Sequence, residues 1–372
     1  MSHQRPIKVL HLVWNLIRGG TEGQCARVAM ELARRGDVHR VMVFRREGFF
    51  LSQVEEVCGP VEEIGIQSMV SLRTYRSVRR LARMLRRENY DLLHTWDADA
   101  AIFGQFAASM ADIPLITSRR DLGQIYPPHK VRLLARADQQ AVKVVANAQA
   151  IARHFGNLRP FRIIPNILDA AEFDLLAEKP FPTDPGMTVK GCVAMVTRLD
   201  PEKDVSTFLF AADRVLREHP EALFVVAGDG VERGRLVQLA HLRGLRDRFH
   251  LLGERTDIPG LLRQASIGVL TPSRNEGLSN TILEYMTAGL PVVATDCGGN
   301  RELIEPQRGG SIVDAGDEEA LAREILNLLR KPVLRKEMGE RNRQRILANH
   351  QPGPVGDQFE ALYRDVIQPE DV

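Results

Sequence analysis

Two doubly wound α/β domains are the fold class this sequence predicts, on three observations. The 372 residues, at roughly 100–200 residues per domain, make two domains. Short apolar runs alternate with helix-period stretches along almost the whole chain, the signature of parallel βαβ units. That alternation is interrupted once, at Lys179–Lys190, KPFPTDPGMTVK, whose three prolines and one glycine read as an interdomain linker. A composition of 44% hydrophobic and 26% charged residues excludes disordered and collagen-like classes. Aromatics at 6% disfavour a binding groove built on stacked rings.

In the first half, the apolar run Ile7–Trp14 reads as a strand and ends at the pair Gly19-Gly20. Glu22–Arg35 has helical period, with Cys25, Val28, Ala29 and Leu32 on one face. The strand Val41–Phe44 follows, then Leu92–His94, Leu115–Ser118, Val142–Ala146 and Arg162–Ile164, with helical patterns between most of them. Past the linker the alternation restarts, with strands at Gly191–Val196, Leu223–Ala227, Phe249–Leu252, Ile267–Leu270, Val292–Ala294 and Ser311–Val313. After QPGP, Asp357–Ile367 reads as a short amphipathic helix. The expected organisation is an N-terminal domain over 1–167, a linker over 168–188, a C-terminal domain over 189–350, and a terminal helix in 351–372 returning toward the first domain. Ligands of such sheets bind at the carboxyl ends of the strands, and two such domains would share a cleft.

The net charge of +2 conceals an asymmetry. Residues 1–167 carry 25 Lys+Arg against 15 Asp+Glu, and residues 168–372 carry 25 against 33. A basic first half suits an anionic surface or substrate. Cys25, Cys58, Cys192 and Cys297 form no C-x-x-C, so neither a zinc site nor a disulfide framework is suggested, and a reducing compartment, the cytoplasm, is expected. The N-terminal apolar run is too short for a secretory signal, and no window reaches the ~18 apolar residues of a membrane span.

Arg198 and Lys203 lie on the loop leaving the strand Gly191–Val196. A strand-to-helix loop is where phosphate meets helix-terminal N–H groups, and an Arg fork with a Lys point charge suits a diphosphate; the plain alternative is a solvated charge pair. Glu276 and Glu284 follow the strand Ile267–Leu270, eight residues apart. Carboxylates accept from sugar hydroxyls, and the Gly277–Asn280 amides at the helix start suit phosphate. Thr281-Ile282-Leu283-Glu284 also fits a capping box. Gly228–Gly234 gives G-x-G-x-x-x-G after a strand, a relaxed dinucleotide fingerprint that raises an NAD(P)-dependent oxidoreductase as the rival reading. Its last glycine is out of register, and a tight strand-to-helix turn is the preferred use. Asp97-Ala98-Asp99 is a D-x-D after a strand, suited to a divalent metal, but Asp97 is better read as a helix cap. Arg73, Arg76, Arg80, Arg83 and Arg87 recur on one face of a basic helix, with Leu72, Tyr75, Val78, Ala82 and Leu85 expected opposite. That face is either solvated or drawn to anionic lipid headgroups.

Taken together, these motifs resemble the retaining nucleotide-sugar glycosyltransferases of family 4, with two Rossmann-like domains in the GT-B architecture. The resemblance covers nearly the whole chain and is strongest at Arg198–Lys203 and at EGLSNTILEYMTAGLPVVATD, where Glu276 and Glu284 take the two places of the E-x7-E signature. Gly19-Gly20-Thr21-Glu22 resembles the family's first-domain Gly-Gly loop, and Ile164-Pro165-Asn166 its I-P-N element. The resemblance implies a nucleoside diphosphate sugar as donor, by default a UDP-sugar, and a glycan or lipid-linked acceptor in cell-surface polysaccharide or glycolipid biosynthesis. Arg198 and Lys203 would hold the donor diphosphate and Glu276 the transferred sugar. Gly277, Leu278, Ser279 and Asn280 would lie near the phosphates, Glu284 at the ribose, and Gly253 and Glu254 near the base. Gly19 and Gly20 would face the phosphates from the other domain. No metal or other cofactor is expected, no nucleic acid, and membrane contact only at the periphery of the inner leaflet. A nucleotide-sugar epimerase of the same fold is a further alternative, whereas retention of Arg198, Lys203, Glu276 and Glu284 argues against a non-catalytic partner subunit. Where many relatives carry a His after the strand Leu115–Ser118, this chain has Arg119-Arg120-Asp121. With Asp97 these are the acceptor-side candidates, and the arginines suggest an anionic acceptor.

Overall fold

The computed structural model describes all residues except 1–4, 67–70, 157–160, 180, 182–190, 246 and 369–372. The chain forms two compact units, one of Met1–Ile167 with Pro352–Val372, the other of Leu168–Gln351.

In chain order, the first unit comprises β1 (Lys8–Val13), α1 (Gly20–Arg34), β2 (Val38–Val43), α2 (Leu51–Cys58), β3 (Glu62–Glu63), α3 (Leu72–Arg87) and β4 (Leu92–Thr95). It continues with α4 (Ala98–Ala111), β5 (Leu115–Arg119), α5 (Pro128–Gln140), β6 (Lys143–Ala146), α6 (Gln149–Phe155) and β7 (Phe161–Ile163). The seven strands are parallel, in the order β3-β2-β1-β4-β5-β6-β7. β1 and β4 are buried almost throughout, as expected for strands covered by helices on both faces.

The second unit comprises α7 (Ala170–Ala177), β8 (Val193–Val196), α8 (Val205–Glu218), β9 (Phe224–Ala227), α9 (Arg233–Leu242), β10 (Phe249–Leu251) and α10 (Ile258–Gln264). Then come β11 (Ile267–Leu270), α11 (Asn280–Thr287), β12 (Val292–Thr295), α12 (Asn300–Leu303), β13 (Gly310–Val313), α13 (Glu318–Arg330) and α14 (Pro332–Asn349). Its six strands are also parallel, in the order β10-β9-β8-β11-β12-β13. Both sheets are therefore doubly wound, as the alternation predicts, with a strand-order reversal at β1/β4 and at β8/β11. The final helix, α15 (Pro352–Ile367), belongs to the first unit. Its Val355, Phe359, Leu362, Tyr363 and Val366 join the core formed by β1, β2 and α1. At about 1.5–3 kcal/mol per buried side chain, an upper bound, this helix is part of that unit's core.

Several local readings differ from the structure. The stretch 168–188 contains α7, capped by Asp169; residues 180 and 182–188 lie outside the described residues. α15 begins at Pro352 rather than Asp357 because its prolines fall in the first turn, where a missing N–H costs nothing. On α3 the buried face is Thr74, Val78, Leu81, Ala82 and Leu85. Leu72 and Tyr75 are exposed, because they lie ahead of Val78, the first α3 residue in the core shared with Phe103, Ala107 and Ala108 of α4.

Candidate functional site

At a reversal of strand order, the loops leaving the two central strands diverge and leave a crevice. In the second unit those loops leave β8 and β11. The β8 loop carries Arg198, then a short 3₁₀ turn, Pro201–Lys203, and Asp204 in the left-handed region at φ 44°. Asp204 caps α8 by accepting from the Thr207 N–H. The β11 loop is tied to it directly. The Ser273 N–H donates to the Glu202 carbonyl at 2.8 Å, and Thr271 Oγ1 donates to the Asp204 carbonyl at 2.9 Å.

Across this crevice the Lys203 ammonium meets the Glu276 carboxylate at 2.7 Å, the two side chains being 20% and 13% exposed. Arg198 points outward, 72% exposed, with only loose ion pairs to Asp200 at 3.1 Å and Glu202 at 3.6 Å. An exposed guanidinium in such pairs is held weakly and is available to an anion. The β8 loop thus carries two cations, one of them paired with the carboxylate of the β11 loop, a set of groups able to hold a diphosphate beside a hydroxyl-bearing group.

Glycines permit the close approach of these loops. Gly228 sits at φ 142°, and a Cβ there would lie 1.8 Å from the Thr197 carbonyl oxygen. A Cβ at Gly230 would lie 2.6 Å from the Leu199 carbonyl oxygen. Both glycines therefore pack the turn after β9 against the Arg198 loop, while Gly234 faces open space. That is the tight-turn use, and it leaves the dinucleotide reading without an open phosphate loop. Gly253, at φ 73°, bridges to Gly228, whose N–H donates to its carbonyl at 2.7 Å. The exit of β10 thereby joins the same stack of loops, with Glu254 exposed beside it. Gly298 backs the other side, where a Cβ would lie 2.0 Å from the Glu276 carbonyl oxygen. Replacing Gly228 with Ala is expected to displace the Arg198 loop and destabilise the second unit, since a backbone clash and a disfavoured φ act together. A lower melting temperature of the variant checks this.

The α11 cap is Ser279, which accepts from the Ile282 N–H at 3.4 Å. The capping box starting at Thr281 is therefore incorrect: the helix begins at Asn280, so Thr281 is already inside it. Gly277, Leu278 and Ser279 are buried at the helix entrance, and Glu284 is partly buried further along α11.

The first unit has its own reversal at β1/β4. Gly19 and Gly20 open α1 there without a side-chain cap. Asp97 caps α4 by accepting from the Ala100 N–H at 2.8 Å, and its other oxygen accepts from the Trp14 N–H at 2.7 Å. Burial pushes its carboxyl up to about 7. Asp99 is ion-paired with Lys130 at 2.8 Å, so the two acids of D-x-D have separate partners. Of the neighbouring arginines, Arg119 is turned into the core, 4% exposed, on the fully buried Asp138 at 2.6 Å. Arg120 stacks on the Trp96 ring at 4.6 Å and donates to Asn166 Oδ1 at 2.6 Å. Asp121 shapes its own loop by accepting from the Gly123 N–H and the Tyr126 hydroxyl.

A buried histidine cluster beneath this region escaped the sequence reading. Trp96 Nε1 donates to His11 Nδ1 at 3.0 Å, which leaves the His11 proton on Nε2, facing His39 Nδ1 at 2.8 Å. His94 lies between Tyr363 of α15 at 2.8 Å and Ser118 at 2.9 Å. Burial holds His11 and His94 well below the usual imidazole range and His39 at about 3. The available signal was one His within each of the apolar strands β1, β2 and β4.

Comparison with known proteins follows the two units. Residues 18–172 match the family model described as Glycosyltransferase Family 4, and residues 188–345 that of Glycosyl transferases group 1. The chain is 35% identical over 183 residues to the alpha-D-kanosaminyltransferase of Streptomyces kanamyceticus, which covers 49% of this chain and 47% of that enzyme. It therefore spans about half the length of that relative. It is 25% identical over 315 residues to an Escherichia coli UDP-Gal:alpha-D-GlcNAc-diphosphoundecaprenol alpha-1,3-galactosyltransferase, covering 80% and 81% of the two chains. Among solved structures, Anabaena HepE in complex with UDP superposes with a TM-score of 0.82 at 23% identity, over 96% of this chain and 99% of that one. At that identity the likeness shows a shared fold.

Proposed function

The chain belongs to glycosyltransferase family 4, and on that premise we propose that it transfers a sugar, with retention of configuration, from a UDP-sugar to a glycan or lipid-linked acceptor of cell-surface polysaccharide or glycolipid biosynthesis. The observation that carries this is the Lys203–Glu276 pair across the β8/β11 crevice with Arg198 exposed beside it. HepE has been crystallised with UDP and with UDP-glucose, and the Escherichia coli relative is named for a lipid diphosphate acceptor, which supports the donor and acceptor classes.

In this reading the arginine and lysine hold the diphosphate and stabilise the charge that grows on it as the glycosidic bond breaks. Glu276 holds hydroxyls of the transferred sugar. The acceptor oxygen bonds to the anomeric carbon on the face the diphosphate leaves, and its proton passes to the departing phosphate oxygen, so no protein base is required. Two cationic side chains take the charge a metal would otherwise take. The test is a UDP-sugar panel with acceptors from membrane extract, followed by the anomeric configuration of the product. Retention and undiminished turnover in EDTA are expected. Inversion would contradict the reading, and a manganese-restorable loss would make Asp97 and Asp99 ligands.

No helix among the described residues is long and apolar enough to cross a membrane. Arg73, Arg76, Arg79, Arg80 and Arg83 of α3 are all exposed, with Leu72 and Tyr75 exposed at its start. Such a surface suits anionic headgroups, at ~1 kcal/mol per basic residue. Sedimentation with anionic vesicles is expected at low salt and not at high salt, with loss on changing Arg76, Arg80 and Arg83 to Glu. Equal sedimentation of both proteins would remove α3 as the contact.

A further inference from the structure

Arg119 and Arg120 are adjacent in sequence and opposite in circumstance. Arg119 has a dedicated carboxylate, Asp138. Arg120 has none among the described residues. Its Nη1 donates to Asn166 Oδ1, but its Nε and Nη2 are closed off from solvent and have no hydrogen-bond acceptor. The flat face of the guanidinium rests on Trp96, which is itself fully buried. Asn166 Oδ1 also accepts from Asn147 Nδ2 at 3.3 Å, so that oxygen is fully engaged. The titratable groups that interact with Arg120 through charge, Cys25 and Tyr363, are both held in their neutral forms by burial, and His94 is neutral too. The positive charge is therefore unmatched, and burial lowers the guanidinium to about 10.

A buried unpaired charge is costly, and a stacked, pre-oriented fork with unused N–H groups is the geometry that receives an oxyanion in two-pronged fashion. Arg120 immediately follows β5, at the carboxyl end of the sheet where a doubly wound unit takes its ligand. The residue as a whole stays partly exposed while Nε and Nη2 are enclosed, so an oxyanion reaches them with a local rearrangement of the surrounding side chains. We propose that Arg120, braced by Trp96 and Asn166, is the receptor for an oxyanion carried by the acceptor, a phosphoryl or carboxylate group, and so selects anionic acceptors. Assigning the anion to the acceptor rests on the donor site lying at Arg198, Lys203 and Glu276.

The test uses full-length protein saturated with UDP, so that the donor site is filled. Inorganic pyrophosphate and methyl glucuronide are titrated separately by calorimetry, as the phosphoryl and carboxylate probes. At least one is expected to bind, at least tenfold more weakly to Arg120→Gln and with intermediate affinity to Arg120→Lys, which keeps the charge and loses the fork. UDP affinity is expected to be the same in all three. Because the charge is unmatched, Arg120→Gln is expected to melt about 2–4 °C higher, the shift of a modest stabilisation in a unit of this size. The proposal is overturned if neither probe binds the parent, if Arg120→Gln binds them as the parent does, or if UDP affinity falls in Arg120→Gln as it does in Arg198→Ala, which would make the anion the donor's. Absence of UDP binding to the parent defeats the donor reading instead. The pyrophosphate comparison is then made without nucleotide in an Arg198→Ala, Lys203→Ala background.

Discussion

Replacing Lys203 with Ala is expected to reduce sugar transfer by roughly 10²–10³-fold, the range found on removing one group that stabilises developing oxyanion charge. The substitution acts twice. It removes the cation proposed for the diphosphate, and it leaves Glu276, only 13% exposed, without the ammonium 2.7 Å away. A half-buried carboxylate that loses its partner costs about 1–3 kcal/mol, so the variant should also unfold more readily. Arg198→Ala separates the two effects. That side chain is 72% exposed and its ion pairs are internal to its own loop, so its removal should slow transfer with little change in stability. On the proposed roles, Glu276 at the transferred sugar and Glu284 at the ribose, Glu276→Gln should lower kcat and Glu284→Gln chiefly raise the donor KM, because the ribose does not react. Steady-state rates within a few-fold of the parent for Lys203→Ala would remove the assignment.

Acidification should unfold the first unit well before carboxylates in general titrate. His11, His39 and His94 are neutral in the folded state and stay so far below 6.5, whereas in the unfolded chain they protonate near 6.5. Their contribution is thus complete above that pH. It is lost as pH falls toward the folded-state values, at about 1.4 kcal/mol per histidine per pH unit. By pH 5 His39, with a folded value of about 3, accounts for about 2 kcal/mol, and His11 and His94 act in the same direction. Asp97 works in the opposite direction: its folded value near 7 lies above the unfolded one, so protonation returns about 2–3 kcal/mol over the same interval. Three histidines act against one carboxyl, so the net effect of acidification is destabilising, against a typical stability of about 5–15 kcal/mol. Both tryptophans, Trp14 and Trp96, lie in this unit, so fluorescence-monitored urea unfolding reports on it selectively. The midpoint should fall steeply from pH 7 to pH 5, and less so in His39→Gln. A midpoint independent of pH over that range would contradict the tautomer chain.

The strands and the loops that carry Arg198, Lys203, Glu276 and Glu284 were legible because a buried parallel strand is an apolar run, and charged residues just past it fall at the ligand-binding edge. What holds those loops together was not legible. Gly228 and Gly298 act by letting backbones from other strands approach, and spacing alone cannot distinguish such glycines from a phosphate-binding turn. The adjacent arginines 119 and 120 looked equivalent; only the position of Asp138, on the next helix, separates them. The histidine cluster depends on strand register, His11 opposite His94, and on Tyr363 returning from the far end of the chain. No local pattern encodes either. Leu72 and Tyr75 share the face opposite the arginines with Val78, Ala82 and Leu85 yet stay exposed, because helical period says which residues share a face, not where along a helix its neighbour stops.

The most direct test of the central claim is calorimetric titration of UDP-glucose, in EDTA, into the parent protein and into Lys203→Ala. Metal-independent binding to the parent, weakened by the ~1.5–3 kcal/mol of a charge-assisted contact, or at least tenfold, in the variant, is the expected result. Equal affinity in both proteins, or binding to the parent that appears only when a divalent metal is added, would contradict the account.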